Sequence, residues 1–332
     1  MKNVLRIRRR VFPVATMLAG AVVVLLASSS AAPTSAGANS QQPTVPRTPW
    51  NHPDLQGRWT NATVTPLQRP PELAGKEFFS GNEAAEYQKT AQKRYVELSG
   101  FTIAEAEFSG EFAPEWMEDR PLVSTGRTSL IIGPDGQIPP LTPEARKRAD
   151  ARASKGFDAA DAPEERPLGE RCLLFAHAGP PMLPGMLYNS NYQIVQTPSH
   201  VVIFTEMGSS VRIIPLNRRQ HLGEALRSWH GDSIGRWEDE TLVVDTTNLN
   251  EKSEFRGATA NLHVVERFTR VRADMILYQF TVEDPATWPK SWTVELPMRP
   301  LQEPIFEFAC HEGNYGLANI LTGARFVEGQ PK

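Results

Sequence analysis

Met275-Ile276-Leu277-Tyr278-Gln279-Phe280-Thr281-Val282-Glu283 is the stretch that decides the fold. Ile276, Tyr278, Phe280 and Val282 point one way, and Leu277, Gln279, Thr281 and Glu283 the other. That period of two is the signature of a strand with one buried face. Trp292, Val294, Leu296 and Met298 repeat it downstream. Working outward, strands are expected at Tyr192–Thr197, Val201–Met207, Val211–Leu216, Ile234–Glu238, Thr241–Thr247, His263–Val271, Met275–Glu283, Trp292–Met298 and Ile305–Cys310. Turn residues such as Pro198-Ser199-His200, Asp239-Glu240 and Arg272-Ala273-Asp274 separate several of them. Nine short strands in tight succession predict an antiparallel meander. So long a meander closes into a barrel or folds into a sandwich, because open strand edges are a liability.

Upstream the pattern is mixed. Ala84, Tyr87, Ala91, Tyr95 and Leu98 share one face of a helix over 83–98. Thr142-Pro143-Glu144 starts a second helix, with a capping hydroxyl and proline at the first position, ending near Ser154. Ser129 to Ile138 reads as a hairpin turning at Pro134-Asp135-Gly136. Residues 39–49 read as a flexible, Pro/Gln/Thr-rich leader and 155–170 as an exposed connector. The expectation is one mainly β domain over 50–332, with an elaboration at 50–170 and the strand meander at 171–332.

Residues 1–38 read as an export signal. A basic start (Lys2, Arg6, Arg8, Arg9, Arg10) precedes an apolar run from Val14 to Leu26, and Ala36-Gly37-Ala38 fits a cleavage site. The apolar run is shorter than the roughly 20 residues that span a bilayer, although a retained anchor is the alternative. Arg9-Arg10-Val11-Phe12 resembles the twin-arginine signal, with general secretion equally open. Without this segment the chain has 30 basic and 38 acidic groups, a net charge of −8. Such a balance argues against nucleic acid or an anionic membrane surface as partner. In an oxidising compartment, Cys172 and Cys310 are expected to pair, two free thiols being the alternative.

Asp54-Leu55-Gln56-Gly57-Arg58-Trp59 and Asp232-Ser233-Ile234-Gly235-Arg236-Trp237 share the pattern D-x-x-G-R-W. Glycine permits close backbone approach at a strand start, tryptophan can plug a barrel end, and arginine can stack on its face. The G-x-W element resembles the first-strand signature of lipocalins and related calycin barrels, which implies a calycin-like closed barrel rather than a sandwich. Three further blocks are similar to a group of exported bacterial proteins usually described as uncharacterised: Val211 to Leu216, Trp229-His230-Gly231-Asp232-Ser233 through Val244, and Ala309-Cys310-His311-Glu312-Gly313-Asn314-Tyr315. This second resemblance implies export and a single domain, and no activity.

The chain contains no HExxH or Cys/His quartet that would signal zinc, no G-x-S-x-G elbow, and no phosphate or dinucleotide loop. No metal or cofactor is therefore expected. Two clusters could carry acid–base chemistry. In one, His230 is the base and Asp232 its orienting acid, unless Asp232 merely closes a turn. In the other, His311, Glu312 and Tyr315 gather at a barrel rim, unless they form a plain polar turn. A Cys172–Cys310 link would bring His177 and Tyr188 towards that second cluster. Arg256 and His263 are further ligand-binding candidates. Gly179-Pro180-Pro181-Met182-Leu183 reads either as a lid over a barrel mouth or as a segment packed outside it. The expected function is an enzyme for a small apolar or sugar-like molecule, of hydrolase, lyase or isomerase type. The alternatives are a periplasmic carrier of an apolar ligand and an envelope interaction module. Oligomeric state is left open.

Overall fold

A computed structural model of the chain describes residues 45–98, 121, 126–155, 160–175, 178–185, 190–253 and 255–329. The export segment 1–38, His177 and Tyr188 lie outside them. The strands are β1 (Gly57–Thr60), β2 (Asn191–Gln196), β3 (His200–Thr205), β4 (Ser210–Pro215), β5 (Asp232–Glu238), β6 (Thr241–Thr247), β7 (His263–Arg272), β8 (Met275–Glu283) and β9 (Trp292–Pro300). Among the described residues the α-helices are α1 (Gly81–Leu98), α2 (Pro143–Lys155) and α3 (Tyr315–Glu328).

All nine strands join one antiparallel sheet in the order β4-β3-β2-β1-β9-β8-β7-β6-β5. The sheet rolls into a nearly closed, calycin-like barrel. At the seam β4 and β5 share no backbone ladder among the described residues, yet they nearly touch. A Cβ on Gly235 would stand 2.8 Å from Leu216 Cδ2 and 2.9 Å from Ile214 Cγ2. Glycine is therefore what lets the two edges meet.

Side-chain alternation explains the roll. Ile276, Tyr278, Phe280 and Val282 of β8 are buried inside, opposite Met298, Leu296, Val294 and Trp292 of β9. On the other flank of β8, Val264, Glu266 and Phe268 of β7 point inward. Outward positions are polar, as in the Thr281–Thr293 hydroxyl pair at 2.9 Å. Trp59 is buried at one barrel end, donates Nε1–H to the Leu55 carbonyl at 2.9 Å, and carries a guanidinium over its ring. That guanidinium belongs to Arg270 rather than the neighbouring Arg58, at 5.2 Å.

The interior is filled. Arg212 and Glu266 form a buried ion pair, with Arg212 also reaching Ser233 Oγ at 3.3 Å and Tyr278 donating its hydroxyl to Glu266 at 2.7 Å. Burial works against the Arg212 cation, but the facing Glu266 carboxylate raises its pKa overall. Gly179 to Leu183 is buried in the barrel mouth. The Met182 N–H donates to the Tyr278 hydroxyl at 2.9 Å, and Thr205 Oγ1 donates to the Ala178 carbonyl at 3.1 Å. Met182 and Leu183 join the buried core, so the segment plugs the barrel rather than packing outside it.

Two sequence expectations need correction. Ile305–Cys310 is not a strand, and the ninth strand is β1 instead. Residues 129–138 do not pair with themselves. Leu130 to Ile132 follow β9, with Glu295 N–H donating to the Leu130 carbonyl and Ile132 N–H to the Thr293 carbonyl, and the rest turns to Gln68 and Arg69. This covers edge that β1 leaves bare, since β1 reaches only Arg299 and Pro300. Helix α3, which the sequence reading does not anticipate, half-buries Leu317, Leu321 and Ala324 on one face. Elsewhere the expectation holds. Thr142 caps α2 through Oγ1, which accepts the Ala145 N–H at 3.1 Å. The half-buried positions described on α1 include Ala84, Tyr87 and Ala91.

Cys172 and Cys310 are bonded, with Cα atoms 5.7 Å apart. The link straps the tail before α3 to the segment before the plug. Phe175 meets Phe308 edge-on at 5.0 Å, and Asn314 Nδ2 donates to the Glu170 carbonyl at 3.0 Å. No helix among the described residues is long and apolar enough to cross a membrane.

Candidate functional site

The richest cluster of titratable groups lies on the outer wall of β5 to β8, under the β4–β5 connection. Because Ser233, Val244 and Val264 face inward, their neighbours Asp232, Asp245 and His263 face outward. Register brings them to one level, with Asp245 opposite Val265 of β7 and His263 opposite Glu283 of β8.

The loop from Leu216 to Gly231 lays His221 across this level. The loop is held by Asn248 Nδ2 donating to the Leu222 carbonyl at 2.9 Å and Arg227 donating to the Ala260 carbonyl at 2.8 Å. Gly231, at φ +69°, turns it into β5, and a Cβ there would strike the Thr247 carbonyl.

The resulting chain alternates acid and base. Arg218 pairs with Asp232 Oδ1, and Asp232 Oδ2 faces His221 Nδ1 at 2.9 Å. His221 Nε2 and His263 Nε2 both face Asp245 Oδ1 at 3.0 Å. His263 Nδ1 ends the chain 3.4 Å from Glu283 Oε2. That last distance exceeds an ordinary hydrogen bond. Exposure rises along the way, from 10% for the Asp232 side chain to 54% for Glu283.

Electrostatics follow the geometry. The hydrogen bond from His263 holds the Asp245 carboxyl below its ordinary range against the opposing effect of burial. The same bond raises the His263 imidazole. Burial works against ionised Asp232, but the Leu222 N–H, Arg218 and His221 outweigh it and lower its pKa. A carboxylate fixing one ring nitrogen of a histidine, with the other turned to solvent, can pass a proton between that second nitrogen and a ligand.

His230 and Asp232 are not a dyad. Asp232 is committed to Arg218, His221 and the Leu222 N–H. His230 Nδ1 donates to the Gly179 carbonyl of the plug at 3.0 Å, and burial lowers its pKa. His311, Glu312 and Tyr315 are exposed, Tyr315 at 75%, and no side-chain hydrogen bond joins them among the described residues. Tyr315 opens α3 rather than lining a rim. Arg256 faces a separate cleft beside α1.

The sequence reading names Asp232 and His263 but misses His221, Asp245, Arg218 and Glu283. The available signal was Asp245, an acid on the outer face of the apolar run Leu242-Val243-Val244. Among the described residues, no group of three or more His, Cys, Asp or Glu is arranged to hold a metal ion. The chain matches no protein-family model, no curated protein and no solved structure.

Proposed function

We propose that the protein is an exported acid–base enzyme acting on a small, hydroxyl-bearing, sugar-like molecule, with His263 as its catalytic residue. One observation carries this reading: the His263 ring is fixed at Nε2 by Asp245 while Nδ1 has only a long contact to an exposed carboxylate. His263 gives a proton from Nδ1 to a leaving or carbonyl oxygen and recovers it from water or from the ligand. Asp245 holds the ring and stabilises its charge, and His221, Asp232 and Arg218 position Asp245. The chemistry is hydrolysis, elimination or isomerisation.

Export is part of the proposal. The basic-apolar-small order of residues 1–38 supports it, as does the Cys172–Cys310 bond, which suits an oxidising compartment. The packed barrel interior favours the enzyme over a carrier with a ligand in its lumen, because Arg212, Glu266 and Met182 occupy that space.

The test is a panel of p-nitrophenyl glycosides and acyl esters on the mature chain. His263→Ala should lower turnover about a hundredfold or more, the usual contribution of a positioned acid–base group. Asp245→Asn should shift the alkaline fall of the pH profile to lower pH, since the protonated ring is the acid. Unchanged turnover in His263→Ala would sink the assignment. An intact mass beginning at Asn39 and rising by two hydrogens on reduction supports export, and a retained leader refutes it.

A further inference from the structure

We infer that the cleft between α1 and the plugged barrel mouth binds a monocarboxylate with an apolar chain or ring, anchored by Arg256. The cleft holds about 1010 Å³. Pockets for small organic ligands fall near this size and are walled by apolar side chains with a few polar groups. Here the walls include Leu67, Phe79, Tyr87, Leu130 and Leu183, of which Leu130, beside β9, and Leu183, in the plug, are buried.

Arg256 lies in the lining and has no hydrogen bond or ion pair to any described residue. Arg256 is exposed at the edge of the cleft, and the protein beside its guanidinium lowers its pKa with no carboxylate to compensate. An arginine that lines an apolar cleft and lacks a counter-charge is a binding element for one.

The backbone adds an independent sign. Arg256 sits at φ +50°, ψ +33°, a region where a long side chain is an outlier and glycine is at ease. Gly257 follows at φ +80°, so the turn already has glycine one step away. A bulky residue kept in such a position points to use of its side chain.

The acids around the cleft narrow the ligand class. Glu83 is tied to Lys76 and Ser80, which hold its carboxyl down at about 2. Glu72 and Glu86 also line the cleft, both exposed. Their repulsion disfavours a dianion such as a phosphate monoester, whereas a single carboxylate can pair with Arg256 in the bidentate manner of guanidinium.

The experiment is calorimetric titration of the mature chain with sodium octanoate, 1-octanol and octyl phosphate. Octanoate is expected to bind, and more tightly than octyl phosphate. Arg256→Gln should weaken octanoate about ten- to a hundredfold, the value of one charged hydrogen-bonded pair, and leave octanol unchanged. Arg256→Gly suits the positive φ and guards against misfolding; with a wild-type circular dichroism spectrum it should show the same loss. Ala91→Trp, which fills the cleft, should abolish binding of both. His263→Ala should leave octanoate binding intact, so this site stands or falls apart from the proposed catalytic one. No octanoate binding to the wild-type chain, or octanoate affinity within about twofold of wild type in either Arg256 variant, overturns the inference.

Discussion

Glu266→Gln should be among the most damaging single changes in the barrel. The Arg212 and Glu266 side chains are 3% and 0% exposed. Both guanidinium nitrogens Nη1 and Nη2 donate to the carboxylate, Nη1 at 3.1 Å, and Tyr278 donates to it at 2.7 Å. Glutamine keeps the volume but turns an amide donor towards guanidinium donors and leaves the cation uncompensated. Charges about 4 Å apart attract by about 4 kcal/mol at an effective dielectric of 20. Breaking one side of a buried pair costs about 3–5 kcal/mol, which at about 3 kcal/mol per molar urea moves the midpoint down by roughly 1–1.7 M. Urea titration followed by far-ultraviolet circular dichroism, with the disulfide intact, reads this directly. The double variant Arg212→Met/Glu266→Leu removes both charges and should recover most of the loss, because apolar replacement of a buried pair is often neutral or better. A Glu266→Gln midpoint within about 0.3 M of wild type, under the same urea dependence, would refute the reasoning, as would a double variant no better than the single.

The His263–Asp245 pair makes stability pH-dependent with a definite sign. His263 is raised on folding, so its contribution is full below the unfolded value of about 6.5 and fades as pH climbs through the folded value. Asp245 is lowered, so its contribution is full above about 3.9 and fades as pH falls through the folded value. The pair thus contributes most between about pH 4 and 6.5. In a proton NMR titration His263 should titrate above about 6.5 and fall back in Asp245→Asn; an unmoved midpoint would contradict the coupling. The Cys172–Cys310 link spans 138 residues and encloses β2 to β9. Cys172→Ser/Cys310→Ser should cost up to about 5 kcal/mol by loop entropy, and a urea midpoint equal to wild type would show that the tail alone is held. At the seam, Gly235→Val should destabilise by about 1–3 kcal/mol through overpacking against Ile214 and Leu216; a neutral result would mean that the two edges stand farther apart.

Strand positions were legible because alternation is a local property. Ile276, Tyr278, Phe280 and Val282 announce their face without knowledge of the rest. The segment Ile305–Cys310 alternates as well, but it has no sheet edge to join: β9 is already flanked by β8, β1 and residues 130–132. Pairing is a tertiary fact, and periodicity cannot report it. Helix α3 escaped because Gly316 and Gly323 depress its intrinsic propensity, and its half-buried face is narrow. The site divides in the same way. His263 and Asp232 stand out as residues, whereas their partners His221 and Asp245 are joined to them by register and by one loop. His230 and Asp232 looked like a pair because they are near in sequence, yet Gly231 turns the chain between them and sends one to the plug and the other to the outer wall.

The place of β1 has a consequence for the order of assembly. Strands β2–β4 and β5–β9 are each a run of neighbours that can zip as they emerge, since every pairing within a run is between consecutive strands. The two runs meet at one short strand near the beginning of the chain. Thr60 must find Arg299, 239 residues away, before the wall is continuous. Pairings of such long sequence separation are slow, because loop-closure entropy is lost before any contact rewards it. The barrel is therefore committed only when its last strand has been made. Until then the two runs meet only across the β4–β5 seam and through the Arg212–Glu266 pair.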